Sequence, residues 1–261
     1  MKNLLSTVVL LCAMLLPITV PALQPLITDD TGTQGANNNQ IEIEYSRTAD
    51  KSEGAKTFTR ELPLVYTRGV TDALDIYASA NYQRITPPAP DSVENGLGNM
   101  VLGAKWRFYE DESGKLSFAL KPEILFPVSE RREARGLGSA RISYGIGLLL
   151  SRETGFGAIH ANLMVDRTNY ADVALDAAQR RTTYRLSAAP VWAIASKWTI
   201  ALDAGILTNP ERSAKARMGY LEIGAIYSPG KDLDFDIGLI RNVHDGAVRT
   251  LQLVSGVTWR F

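Results

Sequence analysis

The chain has 261 residues, 28 Lys+Arg against 28 Asp+Glu, a single cysteine and a mean hydropathy of −0.07. That balance excludes a nucleic-acid binder working through a net basic face. No apolar run reaches the ~18 residues a spanning helix needs, so a helical membrane protein is excluded too.

The first element is the apolar run Leu4–Leu16, which follows Lys2 and stops before Pro17. It is too short to span and has the layout of a secretory signal, with Val20-Pro21-Ala22 as the cleavage site. Residues 1–22 are therefore expected to be a signal peptide, with the exported chain starting at Leu23. Cys12 would leave with the signal, and the bulky Leu10 and Leu11 before it argue against a lipid-attachment site. The exported chain then owes nothing to disulfides. Residues 23–39 form a polar lead-in containing Thr28, Asp29 and Asp30. Tucked into the mouth of a barrel, it would be a plug whose carboxylates pair with lumen Lys or Arg; left free, it is a disordered tail.

Residues 40–261 read as about twelve segments of roughly ten residues with period-two alternation, the length of a tilted membrane strand. The first sets Ile41, Ile43 and Tyr45 against Gln40, Glu42 and Glu44. Leu62, Leu64 and Tyr66 mark the second, which alternates least clearly. Met100, Leu102, Ala104, Trp106 and Phe108 oppose Lys105 and Arg107 in the fourth, and Leu116–Phe126 follows as the fifth. The sixth is read from Ala140, with Arg141 and Ser143 inward. The seventh opposes Ile159, Ala161, Leu163 and Val165 to His160 and Asn162. The pattern continues to Leu251–Phe261, where Leu251, Leu253, Val257, Trp259 and Phe261 share one face. Pro63, Pro122 and Pro190 fall inside strands, where bulges or kinks are expected.

Alternate connections differ in length. Arg68–Thr71, Glu110–Gly114, Arg152–Gly155, Ser196-Lys197 and Ser228–Lys231 are tight. Arg84–Gly96, Val128–Gly138, Arg167–Arg181 and Thr208–Lys215 are longer and more polar, although the first and last links of that set, Asp50–Lys56 and Val243–Ala247, are shorter. Short turns on the periplasmic side and long loops outside are the asymmetry of bacterial outer-membrane barrels. With strands so directed, Trp106, Trp192, Trp198 and Trp259 gather at the periplasmic interface, where amphipathic rings sit. The expected fold is all-β: a transmembrane antiparallel up-and-down β-barrel in the outer membrane of a Gram-negative bacterium.

The second face of the strands carries Glu42, Glu44, Asp75, Lys105, Arg107, Lys121, Glu123, Arg141, His160, Arg185, Asp203, Glu222, Asp234 and Asp236. In hydrocarbon a Lys or Arg near the midplane would cost about 2–4 kcal/mol, so these residues are expected to line the lumen or solute pathway. They fit either a pore lined by both signs or a ladder of ion pairs that fills the barrel. Strand number does not choose between them, since about 8 strands are filled by side chains and about 16 leave a channel.

Gln24-Pro25-Leu26-Ile27-Thr28-Asp29-Asp30, Asn38-Asn39-Gln40-Ile41-Glu42, and Gly96-Leu97-Gly98-Asn99 leading into Ala104-Lys105-Trp106-Arg107-Phe108 carry a resemblance. On these motifs the chain resembles the MetA-pathway-of-phenol-degradation family of outer-membrane, porin-like proteins. The resemblance implies a small barrel that passes small, often aromatic or hydrophobic, compounds, and it brings no catalytic residues with it. The expected partners are outer-membrane lipids and lipopolysaccharide, a small-molecule solute, and the barrel-assembly machinery acting on Phe261; no cofactor, metal or nucleic acid is expected. One alternative is a closed structural or adhesive barrel without transport. Another is an outer-membrane hydrolase using His244 and Asp245. That reading is weak, because a Val-His-Asp-Gly run is far more often a hairpin loop.

Overall fold

A computed structural model describes residues 24–52, 55–88, 93–244 and 248–261. The expected signal, residues 1–22, lies outside them. Among the described residues no helix is long and apolar enough to cross a membrane.

Thirteen strands form one antiparallel sheet that closes on itself. They are β1 (Asn39–Ser52), β2 (Ala55–Thr71), β3 (Leu74–Thr86), β4 (Glu94–Leu97), β5 (Val101–Glu110), β6 (Leu116–Leu125) and β7 (Ser143–Thr154). β8 (Gly157–Arg167), β9 (Thr182–Ala195), β10 (Trp198–Thr208), β11 (Arg217–Tyr227), β12 (Leu233–His244) and β13 (Arg249–Arg260) complete the wall. Apart from β4 and β5, each strand pairs with its chain neighbours, and β1 pairs with β13, with Ile41 opposite Trp259 and Ser46 opposite Val254. β4 and β5 both lie along β3, β4 against Tyr82–Ile85 and β5 against Leu74–Ser79, so together they make one stave of a twelve-stave barrel. β4 was expected to be part of a loop; the end of β3 extends far enough to pair with it. Closure through β1–β13 and β2–β3 joins the ends of the wall, which lipid requires because it cannot satisfy free backbone groups.

The burial pattern is inverted relative to a water-soluble fold. Asp75 and Asp203 are 0% and 1% exposed, whereas Leu102, Leu186 and Ile223 lie bare on the outer face. Such a distribution is stable only when the outer solvent is apolar and the polar groups satisfy one another inside. The fold is thus a transmembrane β-barrel. Trp106, Trp192, Trp198 and Trp259 all lie near the short turns: Trp106 pairs with Leu74, Trp192 with Gly157 and Trp259 with Leu233, while Trp198 opens β10.

The second segment, faint in sequence, is a strand as expected and the longest of the described ones, at 17 residues. Two expectations are corrected. The prolines make no bulges. Around Pro63 the β1–β2 ladder passes from Ile43↔Leu64 to Ser46↔Glu61 in unchanged register. Similar gaps flank Pro122 on the β5 side and Pro190 on the β10 side. A proline withholds one donor from one neighbour, and the intact ladder on its other side holds the strand in line. The sixth segment begins at Ser143 and not at Ala140, which leaves Arg141 in the preceding loop.

Two long loops contain short helices, α1 (Glu130–Glu133) and α2 (Val173–Ala178). The Asp172 carboxylate caps α2 by accepting from Ala174 N at 2.7 Å and Leu175 N at 2.9 Å. Asp176 forms an ion pair with Arg181, whose hydrogen bond holds the Asp176 carboxyl below the usual carboxylate range.

Candidate functional site

Residues 24–38 do not hang below the barrel. They lie inside it, against the inner wall, bound to staves from β3 round to β11. Gln34 N donates to both oxygens of Asp75 on β3, at 3.1 and 3.0 Å. Thr31 N donates to Ser151 Oγ on β7 at 3.0 Å, and its hydroxyl lies 2.5 Å from Ser117 Oγ on β6. Asp29 Oδ1 is 3.2 Å from Lys105 Nζ and Oδ2 is 2.8 Å from Lys121 Nζ. Asp30 Oδ1 stands 3.4 Å from the same Lys105. With its amide turned so that nitrogen donates, Asn162 on β8 bonds both backbone groups of Asp29, at 2.9 and 2.6 Å. Thr28 donates through N and Oγ1 to the two oxygens of Asp203 on β10, at 2.7 and 2.8 Å, and Tyr220 donates to Asp203 at 2.9 Å. Ile27 N then reaches Glu222 Oε2 on β11 at 3.2 Å.

The sequence fits this path locally. An extended polar run offers one N–H per residue, and the wall supplies carboxylates and hydroxyls at matching positions. Where the segment passes β11 and β12 it needs room, and Gly224 and Gly238 face each other in register there. A Cβ on either would meet Pro25 Cγ at 3.0 or 2.8 Å. At the foot of the segment, a Cβ on Gly69 would lie 1.8 Å from Gly35 O. Glycine is required at that crossing by space alone.

Between the seated segment, which contributes Thr28, Asp29, Asp30 and Thr33 to the lining, and the facing wall lies a cavity of about 290 Å³. Gln40 and Glu42 of β1, Val65 and Thr67 of β2, and Asp75, Tyr77 and Ser79 of β3 form its outer wall; Lys105, Lys121 and Glu123 close it. Tyr77 donates to Glu123 Oε1 at 2.5 Å, and Lys121 Nζ lies 5.2 Å above the Tyr77 ring.

The residues expected along the lumen fall into separate groups. Thr28, Asp29, Asp30, Asp75, Lys105, Lys121, Glu123, His160, Asp203 and Glu222 are joined by or adjoin the N-terminal segment. Glu42, Glu44 and Asp236 form no ion pair among the described residues, and Asp234 pairs with Arg260 at 2.7 Å. Arg107 sits at the turn end, bonding Asp72 O at 2.9 Å and pairing with Glu110 at 3.5 Å. Arg185 keeps an inward place on β9, with its Nε buried and unpartnered. Arg141 is exposed at the loop rim beside Ile142, Asn169, Tyr170 and Arg181, not on the strand wall where it was expected. Asp245, and with it the His244–Asp245 pair, lies outside the described residues. His160 does have a serine partner, but across the sheet: its Nδ1 is 2.8 Å from Ser151 Oγ. That serine also receives Thr31 N–H, so the pair holds the segment.

Sequence reading missed Ser151, Tyr220, the glycines under Pro25 and Ser187, whose Oγ is 2.8 Å from Thr28 Oγ1, and it placed Asn162 inward without giving it a role. Neutral polar residues on a strand face look alike whether or not they bind anything. Inward glycines at paired positions were a usable sign that something else fills that space.

The model matches the COG4313 outer membrane channel from Pseudomonas putida F1 with a TM-score of 0.74 at 13% identity, covering 89% of this chain and 98% of that one. The NanC porin matches with a TM-score of 0.59 at 14% identity, covering 83% and 98%, and the KdgM porin with 0.54 at 9%, covering 84% and 99%. These likenesses show the barrel fold. No curated protein matches the chain. Residues 24–261 match the family model described as "Putative MetA-pathway of phenol degradation", and that match takes in the lumen segment and every stave of the wall. The chain belongs to that family.

Proposed function

We propose that this protein is a passive channel for small solutes in the outer membrane of a Gram-negative cell, with residues 23–38 acting as its plug. The observation that carries this reading is the cavity left beside a chain segment that is bound to the wall through polar side chains. A barrel interior meant only to be filled would be packed with its own side chains. Here part of the filling is a separate, linearly attached segment, which can leave without unfolding the wall. The matched structures named as a channel and as porins support the same function, and family membership supports small aromatic or hydrophobic compounds among the solutes. On this reading transport runs down a gradient. Partners on this reading are membrane lipid and lipopolysaccharide outside, the solute within, and the assembly machinery that inserts such barrels, engaged through Phe261.

Single-channel conductance in planar bilayers tests it. The full chain is expected to give small, steady steps, and a form lacking residues 23–38 to give steps several-fold larger, because the segment fills much of the cross-section. Silence from both forms would favour the second reading, a closed structural barrel. The ion pairs of Asp29 and Asp30 with Lys105 and Lys121 are the observation on its side.

A further inference from the structure

The lumen has a basic side and an acidic side, and the seated segment shifts its net charge toward negative. Its basic side is β5 and β6, where Lys105 and Lys121 project inward. The segment spends both of its carboxylates there: Asp29 on Lys105 and Lys121, and Asp30 on Lys105. Across the barrel, β12, β13 and β1 present Asp236, Gly256 and Glu44 in one row and Asp234, Thr258 and Glu42 in the next. Arg260 answers Asp234, leaving the other three acids without a cationic partner among the described residues.

That wall also holds polar atoms with no partner. Asp236 is 7% exposed, and neither of its oxygens accepts a hydrogen bond. Thr258 is 0% exposed, and its inward hydroxyl, between Asp234 and Glu42, is likewise unpaired. Glu222 Oε1 and Gln24 Oε1 share the condition. The Asp236 oxygens and Gln24 Oε1 converge above Gly256: a Cβ there would lie 2.6, 3.0 and 2.9 Å from the three atoms. A buried carboxylate with neither oxygen partnered and no cation beside it, next to an amide that can turn its oxygen inward, suits a positively charged guest.

We propose that the lumen takes small cations and rejects anions, and that the N-terminal segment enforces this sign by cancelling the lysines. The cavity lining contains five carboxylates (Asp29, Asp30, Glu42, Asp75 and Glu123) against Lys105 and Lys121. Walls of one sign in a low-dielectric shell concentrate counter-ions and exclude co-ions. The proposal rests on the channel reading and narrows it. Among aromatic solutes, neutral phenols and protonated amines pass, whereas phenolates and aromatic carboxylates are turned away.

The test is the reversal potential across a potassium chloride gradient in planar bilayers, with each variant first checked for the heat-dependent gel mobility of a folded barrel. For the full chain, potassium is expected to permeate about tenfold better than chloride. Glu44→Gln with Asp236→Asn should lower that ratio at least threefold. Asp29→Asn with Asp30→Asn should also lower it, by uncovering Lys105 and Lys121. All four substitutions are near-isosteric, and the wall pair removes like-charge repulsion, so a folded barrel is expected. An unselective or chloride-preferring full chain would overturn the proposal while leaving the channel reading intact. So would a ratio indifferent to the Glu44 and Asp236 changes. Absence of any conductance would overturn the channel reading, and this proposal with it.

Discussion

At the scale of single residues, the lumen is governed by what each side chain leaves to its neighbour. Asp203 is acceptable at 1% exposure because three donors from Thr28 and Tyr220 surround it. A buried carboxylate without such donors would cost several kcal/mol. Gly69 does the opposite work by contributing nothing. Its missing side chain lets the segment cross the wall and exchange backbone bonds, Asn37 N to Gly69 O and Gly69 N to Asn38 O, both at 2.9 Å. Gly69→Ala would put Cβ 1.8 Å from a backbone oxygen, and no rotamer relieves a clash with Cβ itself. The segment is expected to lift off the wall in this variant while the barrel stays folded. Brief digestion with a broad-specificity protease should then remove residues 24–38 at least tenfold faster than from the parent chain. An unchanged rate would show that the close approach does not hold the segment.

At the scale of elements, the two helical loops form one unit through a buried carboxylate. Glu133 is 1% exposed and accepts from Ala140 N at 2.7 Å, Ala171 N at 2.9 Å and Asp172 N at 3.0 Å. It therefore ties the loop after β6 to the loop after β8, next to the Asp172 cap of α2. Each bond to a charged group is worth about 1.5–3 kcal/mol, so Glu133→Ala should weaken local closure by at least ~3 kcal/mol. Opening of that loop by roughly a hundredfold follows, because each 1.4 kcal/mol is about a factor of ten. Trypsin cleavage after Arg131, Arg132 and Arg135 should rise accordingly, with the strands untouched. Cleavage at the parent rate would mean that the loops hold without it.

At the scale of the whole molecule, stability is a matter of closure. Among the described residues no apolar core fills the centre; buried apolar side chains occur in small clusters such as Ala119, Leu149 and Met164. The ladder between β1 and β13 joins the two sides of the wall, and Phe261 extends it by exchanging bonds with Asn39 at 2.8 and 2.9 Å. Its ring stacks on Trp259 with centroids 4.5 Å apart. Removing Phe261 loses two backbone bonds at about 1 kcal/mol each and an aromatic pair at about 0.5–1.5 kcal/mol. The temperature at which the folded barrel changes gel mobility should fall by several degrees. No fall would place the closing strength elsewhere along the seam.

Strand existence, direction and facing were legible in the chain itself, because a barrel wall in lipid obeys a rule of period two. Trp106 and Lys105 could be sent to opposite solvents from their order alone. The alternation also named the inward charges, from Glu42 to Asp236. It did not show which of them meet, since Lys105 and Lys121 sit on adjacent strands and their partners Asp29 and Asp30 come from a stretch with no period at all. Nor did it show that Pro63 lies in an unbent strand, which depends on the unbroken ladder to β3. Local pattern decides which solvent a side chain faces. Pairing across 76 or 175 residues of sequence, as in Asp29 with Lys105 or Thr28 with Asp203, is decided only when the staves close and the segment threads between them.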